Sequence, residues 1–478
     1  MAVKILKNAS ALMLAQIINP LIGLVLVVTV ARVKGAADFG SYTFALSMVM
    51  IFETIARLGI REYIIREINK TPERWQALLN CGVTLGASAA LVSQLAMLLF
   101  FRIAGYDGAI VHNMYIISFA LASSVLYYVL ESILFAFDRI AVVGALSISE
   151  TIIRVGLSLL LLALGLGVDG MLIAYNISHG LVMVLAFVAI IKTLGKPTLV
   201  WQPAIFRAML KATPTFFTLA ILASVYWRLD IMILSRLLGA EAVGQYSAAY
   251  RLMYLLVMVG DNVLSAAYPT MTRIFHHGRN NFSLMIEQAG KYLLMLYLPV
   301  ALGVTLLSPK IVALVFGEKF TATVPALRVV IWIALPYMLN KLFTNGLVAA
   351  NQQRLDLRVN LLRMLVSLSL HYLLITRFGM IGAAWALLAG CTSAMLLQLY
   401  YLRGFLRYKT VLANVCKPIL AAALMTLGLM LTTVWPVVLQ IVAGAAIYFT
   451  ALFTLRPFDH EDRRLWQALG PQPTGETA

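Results

Sequence analysis

The sequence predicts an all-α polytopic membrane protein of about fourteen transmembrane helices: two parallel six-helix lobes plus two extra C-terminal helices. Three observations carry this. Of 478 residues, 62% are hydrophobic and only 12% charged, about half the roughly 25% charged fraction of an average soluble protein. The apolar runs are long and continuous, whereas barrel strands alternate over about ten residues. At roughly 20 apolar residues per ~30 Å crossing, fourteen spans use about 300 residues, close to the apolar content of the chain. A soluble globular protein is excluded.

Taken in order, span 1 (8–32) follows Lys4 and Lys7 and carries Gln16 and Asn19 beside Pro20. It exceeds a signal-peptide core and lacks an A-x-A cleavage site, so it is read as a retained helix. Span 2 (39–60) starts in GAADFGSYT and bears Glu53 and Arg57. Spans 3 (75–101) and 4 (109–136) are apolar runs, with Glu131 near the inner end of the second. Span 5 (140–166) shows a polar stripe of Ser147, Glu150, Thr151, Arg154 and Ser158, and span 6 (170–192) follows GVDG. Span 7 (212–236) aligns Ser224, Arg228 and Ser235; span 8 (241–268) aligns Ser247, Arg251, Tyr254, Met258, Asp261 and Ser265. Spans 9 (284–308) and 10 (322–350) hold Lys291, Arg328 and Lys341. Span 11 (355–377) presents Asp356, Asn360, Arg363, Ser367 and His371, span 12 (380–402) follows the glycine of GMIG, and spans 13 (411–434) and 14 (436–456) are apolar apart from Lys417.

With charges at the span ends counted with the adjoining segments, 21 Lys and Arg fall on inner segments, seven on outer ones and nine inside spans, which accounts for all 37. The bias predicts cytoplasmic termini. The longest connections, 60–75, 193–211 and 269–283, and the tail after Arg456 are too short for a catalytic domain. REYIIREINKTPERW from Arg61 and WQPAIFRAMLK from Trp201 mix basic and apolar residues, as interfacial helices or tight solvated connectors do.

Sliding the chain by about 204 residues lays Lys7 on Lys211, Arg32 on Arg236, and GAADFGSYT on GAEAVGQYS. GVDGMLIA from Gly167 then falls on GMIGAAWA from Gly379 at a slip of 212. The repeat covers six helices. An even number starts both copies on the same membrane side, so they form parallel lobes. The predicted domains are an N-lobe (1–205), a C-lobe (206–404), spans 13 and 14 (405–456) and a cytoplasmic tail (457–478).

The net charge of +17 is dispersed over short loops and builds no nucleic-acid face. Cys81, Cys391 and Cys416 sit in apolar runs with no metal-ligand spacing and read as small core residues. His276 and His277 fall in a predicted loop, and lone His112, His179 and His371 read as packed residues. No G-x-S-x-G, P-loop or H-E-x-x-H pattern occurs. No catalytic residue, cofactor or metal is assigned.

Leu6 to Ile68 resembles the start of the polysaccharide transporter family, the Wzx-type oligosaccharide-lipid flippases. The likeness rests on GAADFGSY, a G-x-x-x-F-G-x-Y segment, and LGIREYIIRE, an LG-x-R-x-x-I-x-R-E segment. LGLGVDGMLIAY from Leu164 and AAYPTMTRIF from Ala266 extend it to about residues 6–403. The motifs are structural, and are similar to those of the superfamily that includes multidrug exporters and lipid II flippases. The resemblance implies a two-lobe transporter in the bacterial inner membrane, moving undecaprenyl-pyrophosphate-linked sugars to the periplasmic leaflet. It implies as partners the lipid-linked oligosaccharide, membrane lipids and the pathway's polymerase and chain-length proteins, and no nucleic acid. In the similar lipid II flippases the last two helices help form a lipid-tail groove.

The charges within the spans include nine cations (Arg57, Arg154, Arg228, Arg251, Lys291, Arg328, Lys341, Arg363, Lys417) and five acids (Glu53, Glu131, Glu150, Asp230, Asp261). Facing lipid, fourteen such charges would cost about 40 kcal/mol, so most face protein or water. Lys291, Lys341, Lys417 and Glu131 sit near inner ends, where snorkelling is expected. Glu53–Arg57 and Glu150–Arg154 stand at i,i+4 and can pair. The cavity cations Arg57, Arg154, Arg228, Arg251, Arg328 and Arg363 are the expected substrate-binding set, because the guanidinium fork suits a pyrophosphate. Glu53, Glu150 and Asp261 are the candidates for ion coupling. The expected function is flipping by alternating access. The rivals are a cation-coupled multidrug exporter of the same superfamily, with an acidic, aromatic cavity, and a membrane glycosyltransferase or ligase, which lacks a loop to carry its acids.

Overall fold

The computed structural model describes the backbone of residues 2–226, 228–277, 279–404, 408–456, 458 and 462, with side chains placed at 14–213, 224, 228–275, 281–404, 415–456, 458 and 462. Most of the tail expected at 457–478 lies outside the described residues. Among those described the chain is helical, and it divides into two packed units, Met1–Ser247 and Ala248–Ala478.

The first unit holds α1 (Ala2–Lys34), α2 (Ala36–Arg57), α3 (Ile60–Lys70), α4 (Trp75–Ile103), α5 (Gly108–Ser118), α6 (Ala120–Ala136), α7 (Ile140–Ala163), α8 (Gly167–Leu194) and α9 (Pro203–Tyr226). It also takes the start of α10 (Leu229–His277). Its core joins Ile64 and Ile68 of α3, Leu78 and Leu85 of α4, Val129 and Ile133 of α6, Val182 of α8, and Ile205 and Met209 of α9. The basic segment at 60–70 is therefore a helix whose apolar face meets protein, with Arg66 and Lys70 left outward. A bilayer-facing apolar stripe is ruled out for it, because four of its apolar side chains are already buried.

The second unit holds the rest of α10, then α11 (Arg279–Phe316), α12 (Thr323–Val330), α13 (Ala334–Ala349), α14 (Gln353–Leu402), α15 (Tyr408–Leu431) and α16 (Val437–Thr454). Met425 and Leu429 of α15 and Tyr448 and Leu452 of α16 pack on Leu298 and Leu302 of α11. The Lys310 ammonium donates to the carbonyls of Thr433 (2.5 Å) and Trp435 (2.8 Å) and to Gln440 Oε1 (2.8 Å), fastening the α15–α16 turn to α11.

Among the described residues, eleven helical segments are long and apolar enough to cross a membrane. One, Gln353–Leu402, is 50 residues, or about 75 Å if straight. It reverses: a Cβ at Gly382 would lie 2.0 Å from the carbonyl oxygen of Leu374, eight residues back. Counting it twice, and adding α9 with the first turns of α10 and then α15, gives fourteen crossings.

The repeat recurs in the backbone. Gly35 (φ 91°, ψ −172°) and Gly239 (φ 78°, ψ −175°) break the helix at aligned positions. Gly167 and Gly379 share φ near 60°, at 57° and 60°. These are conformations that L side chains rarely adopt. The two copies of the first motif also cross each other inside the first unit. A Cβ on Gly40 would lie 1.7 Å from the Ala240 carbonyl oxygen, and one on Gly244 1.9 Å from that of Ala36. Two small-xxx-small pairs, Ala36/Gly40 and Ala240/Gly244, thus bring the backbones into direct contact.

Some expectations are corrected. The connection expected at 269–283 is almost all helix, α10 running to His277 and α11 starting at Arg279, because between Pro269 and Gly278 the sequence offers no helix breaker. Cys81 and Cys391 are buried, but Cys416 is exposed on α15; an apolar helix at the edge of a membrane bundle presents such residues outward.

Candidate functional site

In the first unit, α2, α7 and α8 bring their charges together. Glu53, 3% exposed, pairs with Arg57 at 3.2 Å and accepts from the Tyr175 hydroxyl at 3.3 Å. Glu150 pairs with Arg154 at 2.9 Å and accepts from Ser178 Oγ at 3.2 Å. His179 Nδ1 stands 3.8 Å from Glu150, its ring 4.2 Å from that of Tyr175. Both i,i+4 pairs therefore form, and Y-x-x-S-H on α8 links them. Arg57 also lies over the Tyr128 ring, 4.5 Å from its centroid, where Arg61 approaches at 5.6 Å. On α7, Ser147 accepts from Asn19 Nδ2 at 2.8 Å, tying the polar position beside Pro20 of α1 to the same stripe.

The break between α9 and α10 positions Arg228. The residue lies in a turn, and its guanidinium reaches Ser47 Oγ (3.5 Å) and Met50 Sδ (3.1 Å) on α2. Asp230 caps the restart: its carboxylate accepts from the Ile231 amide (2.8 Å) and the Tyr246 hydroxyl (2.8 Å). By packing, Arg228 thus belongs with the first unit, around the same α2 that carries Glu53 and Arg57, although the repeat assigns it to the second copy.

In the second unit, Asp261 of α10 pairs with Lys341 of α13 at 3.3 Å. Arg251 and Arg363 are half-buried there, and Arg363 and Asp261 are electrostatic neighbours of Tyr337. A cavity of about 630 Å³ runs between α11, α12, α13, the second half of α14 and α15. Trp332, Leu335, Leu339, Trp385 and Leu388 make its wall, with Lys291 and Arg328 on its margin. Arg328 Nε donates to Ser308 Oγ at 3.1 Å, so the two cations stand about 25 Å apart along α11. They flank a predominantly apolar stretch.

The four residues expected to snorkel do more than that. Lys291 and Asp462 form a pair at 2.7 Å, their side chains 1% and 5% exposed, and the Tyr292 hydroxyl also donates to Asp462. Lys341 holds Asp261, Glu131 pairs with Arg61 at 3.5 Å, and Lys417 donates to the Arg456 carbonyl at 2.9 Å. Inside protein each charge finds a partner that the helix period alone does not reveal. His112 is exposed and pairs with Asp169 at 3.2 Å, so it is not packed. Tyr175 and Asp462 were missed by sequence reasoning, and His179 was read only as the packed residue it is, although the i,i+3,i+4 spacing of Tyr175, Ser178 and His179 was there to be seen. On α3, outside the spans, hydrogen bonds from Lys70 and Arg66 hold the Glu67 carboxyl below its ordinary range.

Residues 5–275 match the model of a family described as polysaccharide biosynthesis protein, and residues 206–456 match that of the lipid II flippase MurJ. The "Probable low-salt glycan biosynthesis flippase Agl15" of Haloferax volcanii is 22% identical over 386 residues, 79% of this chain and 79% of its own. Teichuronic acid biosynthesis protein TuaB of Bacillus subtilis is 30% identical over 133 residues, 27% of this chain and 26% of its own. Among solved structures, an inward closed lipid II flippase MurJ superposes with a TM-score of 0.78 at 16% identity, covering 92% of this chain and 97% of that one. An inward-facing multidrug transporter of the MATE family gives 0.64 at 16% identity, with 81% and 94% covered. These two likenesses establish the fold.

Proposed function

The chain belongs to the polysaccharide biosynthesis protein family, and from this premise we propose that it flips an undecaprenyl-pyrophosphate-linked oligosaccharide across the bacterial inner membrane by alternating access. The observation that supports the substrate is that Arg57, Arg154 and Arg228 all lie in the first unit, on or against α2 and α7, where guanidinium groups can give a diphosphate charge-assisted, bidentate bonds. Arg251, Arg328 and Arg363, in the second unit, complete the proposed set of substrate-binding cations. The apolar cavity there, with Val415 of α15 in its wall, suits the hydrocarbon of such a lipid. Glu53, Glu150 and Asp261 would couple an ion, each exchanging a cationic partner for it. The repeat copies, 1–205 and 206–404, would be the moving lobes, with both termini cytoplasmic and the pathway's polymerase and chain-length proteins as neighbours.

The test is flipping of purified lipid-linked oligosaccharide in proteoliposomes, alongside the leaflet in which it accumulates when the gene is deleted. Arg→Ala at 154, 228 or 251 should abolish or strongly reduce flipping. Arg→Lys should impair it only where the fork is used. Normal flipping and affinity in all three alanine variants, expressed at normal levels, would end the proposal. A reporter after Arg464 should read cytoplasmic and one near Asp169 periplasmic.

A further inference from the structure

The junction of α13, α14 and its returning half holds a polar cluster to which the proposed transport cycle assigns nothing. Asp356, in the first turn of α14, accepts from Thr344 Oγ1 of α13 at 2.8 Å and from Asn360 Nδ2 at 2.9 Å. Gln398 Nε2, from the far end of α14, donates to the same carboxylate at 2.9 Å and to Thr344 Oγ1 at 2.8 Å. Three helical segments thus converge on one carboxylate through neutral groups alone. Among the described residues Asp356 forms no ion pair. By contrast Glu53, Glu131, Glu150 and Asp261 each pair with a cation, and Asp230 caps a helix start.

A second observation points to a ligand. Gln398 is 1% exposed, and its Oε1 is buried with no hydrogen-bond partner, although its amide sits on Asp356. Gln352 Oε1, four residues before Asp356, is likewise buried and unpartnered. A carboxylate drawing amide N–H groups toward itself leaves amide oxygens behind it as unmatched negative dipoles. The last turns of α13 and of α14 end beside the cluster, at Ala349 and Leu402, and helix C-termini add further negative potential.

We infer that Asp356, Thr344 and Gln398 form a binding site for a monovalent alkali cation. The oxygen donors on hand are the Asp356 carboxylate and the Thr344 hydroxyl, and the Gln398 and Asn360 amides, which now give Asp356 their nitrogens, can each present an oxygen by rotation. Hard cations take such donors. A single carboxylate balances one positive charge, whereas calcium-type sites gather several, so the set selects sodium or potassium over a divalent ion. Occupation would let Gln398 Oε1 turn to the ion, giving the orphaned oxygen a partner. It would also pin the end of α13 to both ends of the α14 hairpin.

The site is read without substrate, so it stands or falls apart from the transport proposal. The purified full chain in detergent is melted in NaCl, KCl or choline chloride at equal ionic strength, with increasing replacement of choline. Saturable stabilisation by sodium or potassium over choline is expected, by linkage. Asp356→Asn should abolish that response and Gln398→Ala should weaken apparent affinity roughly tenfold or more, while Asp169→Asn, at the exposed His112 pair, should retain it. Should Asp356→Asn fail to fold, Thr344→Val, which removes one ligand and keeps the shape, carries the test. Identical melting of the wild-type chain in all three salts would overturn the inference and leave Asp356 as a first-turn helix acid, and so would an unchanged response in Gln398→Ala and Thr344→Val.

Discussion

The crossing of the two repeated motifs makes Gly40→Ala the most demanding single methyl group in the first unit. The added Cβ would lie 1.7 Å from the Ala240 carbonyl oxygen and 2.7 Å from both its carbonyl carbon and the Gly244 nitrogen. All three atoms are backbone, so no side chain can rotate away. The helices must part by more than ~1.3 Å to bring the oxygen to the nearest distance real Cβ atoms tolerate, and overpacking of this kind costs about 1–3 kcal/mol. Separation also removes the Cα–H that Gly40 directs at the carbonyl, and its mirror at Gly244. Tilting offers little escape, since Gly244 is equally close to Ala36 at 1.9 Å. Gly156 of α7 is the control: nothing lies within 4 Å of a Cβ there, and alanine should be neutral or slightly stabilising. Thermal melting in detergent reads both. Gly40→Ala should melt clearly lower, Gly156→Ala should not, and Gly40→Ala/Gly244→Ala should lose less than the sum, because one displacement accommodates both methyls. If Gly40→Ala melted with the wild type, the reasoning from close backbone contact would be refuted.

Three other changes have defined outcomes. Lys310→Met removes the donor shared by Thr433, Trp435 and Gln440 and should destabilise by about 1–3 kcal/mol, with faster hydrogen exchange confined to the α15–α16 turn; unchanged exchange there would count against the clamp. Lys291→Met leaves Asp462 a buried carboxylate without its cation, at a cost of about 3–5 kcal/mol, and Lys291→Met/Asp462→Asn should recover part of the lost melting temperature; a double variant no better than the single would be contrary. Because Glu67 is held below its ordinary range, its contribution is present above the unfolded carboxylate pKa and lost as pH falls through the lower folded value. Glu67→Gln should therefore melt slightly below wild type near neutral pH, the gap closing in acid, and a pH-independent gap would contradict the ion-pair origin.

The helix count, the repeat and the family were legible because each rests on local pattern: long apolar runs, glycines at fixed offsets, and the LG-x-R and F-G-x-Y segments. The same period gave Glu53–Arg57 and Glu150–Arg154, since neighbours four apart share one face of a helix. What period cannot supply is the rotation of one helix against another. Lys291 and Asp462 stand 171 positions apart, and nothing near Lys291 in the chain marks it as buried. Arg228 illustrates the same limit: its place in the repeat suggests one set of neighbours, while the break before Leu229 sends its side chain to Ser47 on α2.

The paired glycines at 35 and 239, and at 167 and 379, bear on how far such a chain can drift. A turn written in backbone dihedrals that nearly every other residue resists is insensitive to what happens in the apolar stretches between turns, where leucine, valine, isoleucine and phenylalanine exchange at little cost while lipid is the neighbour. Selection then polices a handful of corner positions and leaves the walls free. Ancestral duplicates, and distant cousins, can lose almost all letter-by-letter likeness and still bend at the same places. Alignments of such chains are best anchored on those corners, with the intervening helices allowed to differ in composition and in length by whole turns.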